Sequence, residues 1–94
     1  VLLEGTPAHI NLKAVEEAMR SVTGVAAVHD LHVWTITSGM DAMSAHVVLA
    51  EGVAASEAQN ILNQLSAQLK TQFNLAHTTI QVEHATLAEK ETRL

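Results

Sequence analysis

The feature that most constrains the fold of this chain is an alternation between two hydrophobic periodicities along its 94 residues. Two segments repeat apolar residues at helical spacing and three favour extended strands, in the order helix, strand, strand, helix, strand. Each predicted helix has a single apolar stripe, so both helices must cover one face of the same three-stranded sheet. The sequence therefore predicts an α+β domain of α-β-β-α-β order whose second sheet face is left uncovered.

The predicted helices carry signals at their ends. Asn11 is the predicted N-cap of the first helix, and Gly24 is its predicted C′ residue. A capping box of Ser56 and Gln59 is predicted to open the second helix, which ends at a left-handed Asn74. The first apolar stripe is Leu12, Val15, Met19 and Val22, and the second is Ala58, Leu62, Leu65, Leu69 and Phe73. Because only 2% of the residues are aromatic, the core must be aliphatic.

Three strands are predicted, over residues 26–37, 44–49 and 77–84. Residues 38–41 have turn chemistry, and so short a link predicts an antiparallel hairpin between the first two strands. The third strand follows a helix, and we expect the three strands to form one mixed sheet.

Strand alternation also predicts which side chains share a face. His46 and Glu83 lie on the polar faces of the second and third strands. In the first strand His29 lies on the face opposite to that of Trp34 and Ile36, and periodicity alone does not say which of these faces covers the core. We expect Trp34 in the core, and in that case His29 joins the other two polar residues on the outer face.

The composition removes several classes of function. The absence of Cys excludes disulfide scaffolds, thiol catalysis and thiolate metal sites. A net charge of −5 argues against nucleic acid and anionic lipid as partners, and no apolar run approaches bilayer length. Without a Gly-rich phosphate loop or a nucleophile elbow, an enzyme is the least expected class. The chain begins at Val1 without Met and reads as part of a longer protein.

Six histidines are the one compositional oddity, and they point to metal chemistry. Imidazole nitrogen and carboxylate oxygen suit zinc and similar ions, and such a site weakens on acidification because each His must lose its proton to bind. A strand His is nevertheless more often an exposed or hydrogen-bonded side chain, which leaves a metal-independent dimerisation module as the alternative. A small-molecule sensor with its ligand at a subunit interface is a third hypothesis, against which the scarcity of aromatic residues argues.

Four stretches of the chain resemble one known family. Residues 24–39, GVAAVHDLHVWTITSG, look like the first-strand signature of the cytosolic C-terminal domain of cation diffusion facilitator transporters. SAHV at 44–47 and HTTIQVE at 77–83 are similar to its second and third strands, and LLEGTP at 2–7 resembles the segment after the last transmembrane helix. The subgroup that the chain resembles is that of the bacterial cobalt–zinc–cadmium efflux proteins.

This resemblance implies a metallochaperone-like, ferredoxin-like fold in a V-shaped homodimer, with divalent metal sites at or near the dimer interface. The expected ion is Zn²⁺, with Cd²⁺, Co²⁺ and Ni²⁺ as further candidates. The implied role is regulatory, on the cytoplasmic side of the inner membrane, and the implied partners are a second copy and the transmembrane domain of the same transporter. Residues 1–94 are then one domain, with 1–8 as a connector and 85–94 as a flexible tail.

The resemblance also implies the metal ligands. Residues at the ligand positions of the family are His29, His46, His77 and Glu83. Gln59 and Gln81 stand where some members have His ligands of a two-metal site, and Gln is a poor zinc ligand. Additional ligand candidates are His84, His9, His32 and Asp30. Simple alternation places Asp30 and His32 on the face opposite to that of His29.

Overall fold

A computed structural model describes residues 6–84 of the chain. Its elements are, in chain order, α1 (Leu12–Arg20), β1 (Val25–Thr37), β2 (Met40–Leu49), α2 (Ala55–Phe73) and β3 (His77–His84). This confirms the predicted α+β class and element order. The predicted tail at 85–94 and most of the predicted connector lie outside the described residues. Neither helix within 6–84 combines the length and the hydropathy needed to cross a bilayer.

The three strands form one mixed sheet with β2 in the centre. β3 lies parallel to β2 because α2 carries the chain back across the sheet, whereas β1 and β2 are antiparallel neighbours. The predicted antiparallel hairpin is confirmed, but its turn is shorter than the predicted 38–41, since Ser38 and Gly39 alone close it. Gly39 adopts a φ of +79°, which lets the turn close in two residues, so Met40 and Asp41 pair with β1.

Helix α1 begins as predicted but ends earlier. Asn11 is its N-cap, and the side-chain oxygen accepts a hydrogen bond from the Ala14 N–H at 3.1 Å. The helix ends at Arg20, so the prediction of Gly24 as its C′ residue is wrong. Gly24 instead precedes β1 with a φ of +98°, and a Cβ there would lie 2.6 Å from Ile61 Cδ1 on α2. The positive φ therefore favours glycine at this position, and a Cβ there would require the end of the Ile61 side chain to move.

Helix α2 begins differently from the prediction and ends as predicted. Its N-cap is Ala54, whose N–H donates a hydrogen bond to the Glu57 carboxylate at 3.0 Å. The predicted capping box of Ser56 and Gln59 is wrong, because Ser56 already lies in the first helical turn. Asn74 ends the helix in the left-handed conformation, with a φ of 58°.

The hydrophobic core lies between the two helices and the inner face of the sheet. Both predicted helical stripes face this core, although Ile61 of α2 is more deeply buried than the predicted Leu62. The buried core residues are Val15, Met19, Val22, Val33, Met43, Ala45, Val47, Leu49, Ile61, Leu65, Leu69 and Leu75. The core is aliphatic, as the composition predicts.

A β-bulge in β1 decides which side chains reach the outer face of the sheet, which is the face away from the helices. His29 pairs with His46, and His32 pairs with Ser44, so three steps along β1 match two steps along β2. Within this irregular stretch Asp30 has a left-handed φ of 55°. The bulge inverts the alternation, and His29 and His32 lie on the same face, which corrects the predicted opposite parity of His32.

The same bulge corrects the prediction for Trp34. Beyond it, Val33 points into the core opposite Met43, and Trp34 lies opposite Ala42 on the outer face. Val33 is buried, whereas Trp34 is partly exposed. The expectation that Trp34 packs under the helices is wrong, because an inserted residue moves every later side chain of the strand to the other face.

Candidate metal centre

Three potential metal ligands meet on the outer face of the sheet, one from each strand. They are His29 of β1, His46 of β2 and Glu83 of β3, and one donor atom of each lies within 4.8 Å of the other two. We call this group the three-strand centre. In a regular strand, His29 would share a face with His46 and Glu83 only if Trp34 were buried. The bulge at Asp30 reverses the alternation, so these three residues share the outer face together with Trp34.

Strand register explains why these side chains converge. His29 and His46 lie directly opposite each other in the antiparallel pair, and their ring centroids are 5.1 Å apart at an interplanar angle of 60°. On the other side of β2, His46 pairs with Gln81, and Glu83 projects from the same face two residues further along β3. The centre therefore depends on the register of all three strands.

Glu83 bridges the two imidazoles. Its Oε1 lies 3.2 Å from His29 Nε2, and its Oε2 lies 3.0 Å from His46 Nδ1. The side chain of Glu83 is 14% exposed, compared with 33% for His46 and 46% for His29. The centre is thus anchored on a shielded carboxylate and opens to solvent on the side of His29, so an ion can reach it without disturbing the core.

The donor set fits a divalent ion of the zinc type. Ligands about 2.1 Å from a tetrahedral ion lie about 3.4 Å from one another, close to the nitrogen–oxygen separations around Glu83. Two imidazoles with one carboxylate suit Zn²⁺, Co²⁺ and Ni²⁺, whereas Mg²⁺ and Ca²⁺ prefer oxygen ligands alone. Three protein ligands leave a fourth position of a tetrahedral ion to be filled.

The chain matches a known family over most of its length. The model of the family described as "Cation efflux protein, cytoplasmic domain" matches residues 7–85. The chain belongs to this cation efflux family. The match confirms the resemblance of the sequence to cation diffusion facilitator domains. The family is one of transporter domains and not of catalytic domains.

Two bacterial relatives show how much of a cation efflux protein this chain represents. A Bacillus subtilis protein named cadmium, cobalt and zinc/H(+)-K(+) antiporter is 37% identical over 83 residues, which cover 88% of this chain and 26% of that protein. The metal cation efflux system protein CzcD of Cupriavidus metallidurans is 39% identical over 85 residues, covering 90% of this chain and 26% of CzcD. The chain therefore spans about a quarter of the length of these relatives.

A solved structure of a cation efflux domain has the same fold. It is described as the metal-bound C-terminal domain of the CzcD transporter from Cupriavidus metallidurans. The two structures align with a TM-score of 0.70 and 35% sequence identity, over 79% of this chain and 99% of that domain. This supports the fold assignment for the described residues, including the mixed three-stranded sheet.

His77, another ligand position implied by the cation efflux family, lies apart from the three-strand centre. It stands at the start of β3, on the same face as Glu83 but six residues away, which corresponds to about 20 Å along a strand. Its side chain is exposed, and its register partner is Ala42. His77 and Glu83 therefore cannot bind one ion within a single chain, and the role of His77 as a ligand stays a prediction.

Two further candidates are exposed strand histidines at other positions. His32 shares the outer face with the three-strand centre and pairs with Ser44. His84 pairs with Leu49, so alternation directs it to the face opposite to that of Glu83. Within residues 6–84, neither belongs to the group whose donor atoms lie close enough to share an ion.

Asp30 lies beside the three-strand centre. Its Oδ2 is 3.4 Å from His29 Nδ1 and 3.7 Å from His46 Nδ1, and its side chain is 64% exposed. Simple alternation puts Asp30 on the other face of the sheet, and its left-handed φ explains why the carboxylate is found next to both imidazoles instead. The position of this carboxylate depends on a bulge that hydrophobic periodicity does not reveal.

His9 is paired with a different carboxylate. Its Nε2 contacts Asp41 Oδ2, and the Thr35 hydroxyl donates a hydrogen bond to Asp41 Oδ1 at 2.8 Å. The hydrogen bond from His9, followed by that from Thr35, lowers the pKa of Asp41 below its ordinary value of 3.8. These contacts hold the segment before α1 against the sheet. The sequence predicts Asp41 as a turn residue and does not indicate this role.

The two glutamines at family ligand positions lie in different places. Gln81 is the register partner of His46 on the outer face, next to the three-strand centre. Gln59 is exposed on α2, where its amide donates a hydrogen bond to Asn63 Oδ1 at 3.1 Å. Because α2 packs on the inner face of the sheet, Gln59 is separated from the centre by the sheet itself.

Proposed function

We propose that this chain is the cytosolic metal-sensing and dimerisation domain of a divalent-cation efflux transporter. The observation that supports this best is the three-strand centre, in which two imidazoles and a carboxylate converge on the sheet face that the helices leave uncovered. The CzcD relative is named a metal cation efflux system protein, and its C-terminal domain is described as metal-bound. The proposed ligand is Zn²⁺, with Cd²⁺, Co²⁺ and Ni²⁺ as alternatives.

The proposed regulation is electrostatic. Each chain has a formal net charge of −5, so two copies repel each other across their uncovered faces. A divalent ion supplies two positive charges where His29, His46 and Glu83 present their donor atoms. These residues favour a closed homodimer only if they bind the ion more tightly in the closed form, and a coupling of about 1–3 kcal/mol is typical of such linkage.

In the complete transporter, this domain would lie on the cytoplasmic side of the inner membrane and act on the transmembrane domain of the same protein. The chain spans about a quarter of the length of its relatives, so transport itself belongs to the proposal. Closing of the domain pair would be the signal that promotes efflux when cytosolic metal rises.

Calorimetric titration with Zn²⁺ tests the centre. His46→Ala and Glu83→Gln should each lower the affinity at least about tenfold, because each removes one of three convergent donors. Glu51→Gln is the matched control, since Glu51 is an exposed carboxylate in the loop after β2. Wild-type affinity should also fall on acidification, because protons compete for the imidazoles. Equal affinity in the wild type and both variants would remove the three-strand centre from metal binding.

A dimerisation module that needs no metal is the second candidate function. It is favoured by Ile36 and Met40, which are 53% and 40% exposed at the hairpin end of the sheet, near the partly exposed Trp34. Small-angle scattering with and without Zn²⁺ distinguishes the two functions. An identical dimer in both conditions favours the module, and a dimer that becomes more compact with Zn²⁺ favours the sensor.

A further inference from the structure

We propose that Asp30 supplies a fourth ligand to the three-strand centre from the same chain, so that one protomer can hold a zinc-type ion with four of its own groups. This inference rests on the proposed function of that centre. It adds a prediction about stoichiometry: each protomer binds one ion without needing a donor from its partner. The arguments are the backbone of Asp30, its distances to the imidazoles and the charge of the completed site.

The backbone of Asp30 is unusual in a way that serves this role. A left-handed φ is unfavourable for most L-residues, and Asp tolerates it because its short polar side chain can make local hydrogen bonds. With a φ of 55° inside the bulge, Asp30 projects its carboxylate toward the side chain of its neighbour His29. Positive φ values at residues other than Gly occur only at Asp30 and Asn74 within residues 6–84, and Asn74 is explained as a helix end.

The distances place two carboxylates around one nitrogen atom. His46 Nδ1 lies 3.0 Å from Glu83 Oε2 and 3.7 Å from Asp30 Oδ2. Both carboxylates therefore lie close to the nitrogen atom that would hold an ion. The separation expected between neighbouring donors of a tetrahedral ion, about 3.4 Å, falls between these two distances. Small side-chain rotations would therefore bring both carboxylates to the ion.

The carboxylate of Asp30 is free to make that movement. Its side chain is 64% exposed, and its hydrogen bond within residues 6–84 is a long one, 3.4 Å, to His29. Charge also favours the fourth ligand, because two neutral imidazoles and two carboxylates neutralise a doubly charged ion. A water molecule in that position would leave the site with a net positive charge. A donor from the partner subunit would make metal binding depend on dimer formation.

Cobalt titration of the chain tests this inference, with Co²⁺ as the probe because its visible absorption reports its coordination. Asp30→Asn removes the charge and retains tolerance of the left-handed conformation, and Asp30→Gly removes the side chain and retains the backbone. Both should bind Co²⁺ at least about tenfold more weakly and change the absorption bands. The wild type should bind one Co²⁺ per protomer at saturation, in the monomer as well as in the dimer.

The outcomes separate this inference from the proposed function. If both Asp30 variants match the wild type in affinity and spectrum while Glu83→Gln binds weakly, the centre stands and Asp30 is not a ligand. Saturation at one Co²⁺ per two protomers would also overturn the inference, because it would show that one ion takes donors from both chains. If the wild type and Glu83→Gln bind Co²⁺ equally, both the centre and the inference are wrong. Circular dichroism checks that each variant is folded.

Discussion

Single residues with unusual backbone conformations determine much of this structure. Asp30 inverts the alternation of β1, so that His29 reaches the outer face while Val33 beyond it reaches the core. Gly24 adopts a positive φ and leaves room for the end of the Ile61 side chain of α2. Substitutions at such positions change the stability of the fold through the backbone conformation. Control variants separate this change from the effect of side-chain packing.

Gly24→Ala should destabilise the fold by about 2 kcal/mol, because it combines a strained positive φ with a Cβ that would meet Ile61. Urea unfolding at neutral pH measures the change. Gly52→Ala is the matched control, since Gly52 has a φ of +93° but no atom within 4 Å of the position of a Cβ. The control should lose less stability, and equal losses at the two sites would show that contact with Ile61 contributes nothing.

Asp41 should make the stability of the chain sensitive to acid. Its pKa is lowered in the folded state by hydrogen bonds from His9 and Thr35, so the native protein holds this proton less tightly than the unfolded chain. The stabilisation is complete above the unfolded value near 3.8 and is lost as the pH falls below it through the lower folded pKa. Asp41→Asn should therefore be less stable than the wild type at neutral pH.

That difference should shrink as the pH falls below 3.8 and approaches the lower folded pKa, below which the wild-type carboxyl is protonated in both states. Urea unfolding at a series of pH values gives the two curves, and Glu51→Gln provides a control for removal of an exposed carboxylate. A stability difference between Asp41→Asn and the wild type that stays constant across this range would contradict the assignment.

At the scale of elements, hydrophobic periodicity predicts the structural features that depend on regular spacing of apolar residues. The stripe of α2, the bounds of β3 and the left-handed Asn74 follow from period and turn chemistry. The faces of β1 do not, because the bulge at Asp30 is a local irregularity that periodicity does not encode. For the same reason, strand alternation predicts that His46 and Glu83 lie on the face of the three-strand centre. The position of His29 on that face follows only from the bulge or from the family resemblance.

The start of α2 gives a direct test at this scale. Glu57→Ala should cost about 1 kcal/mol of stability, because the carboxylate accepts the Ala54 N–H and lies at the positive end of the helix dipole. Ser56→Ala is the matched control, since Ser56 has no capping bond in the structure and Ala is the better helix former. Thermal unfolding measures the stability of both variants. A larger loss of stability for Ser56→Ala would support the capping box of Ser56 and Gln59 that the sequence predicts.

At the scale of the whole molecule, the two sheet faces have different physical roles. The inner face packs the aliphatic core against both helices, and the outer face carries the three-strand centre beside partly exposed apolar residues. Association through the outer face would gain from burial of those apolar side chains and lose from the repulsion of two acidic chains. Metal and salt should weaken that repulsion by different routes.

Salt screens the repulsion between all charges, because the Debye length falls from about 10 Å at 0.1 M to about 3 Å at 1 M. Zn²⁺ acts locally, through the three-strand centre. We therefore expect sedimentation equilibrium to show tighter dimers either in high salt or with Zn²⁺ at low salt. Glu83→Gln should lose the response to Zn²⁺ and keep the response to salt, since it removes one ligand and only one of ten acidic residues. If Zn²⁺ tightened the dimer of this variant as much as that of the wild type, the link between the centre and dimer formation would be disproved.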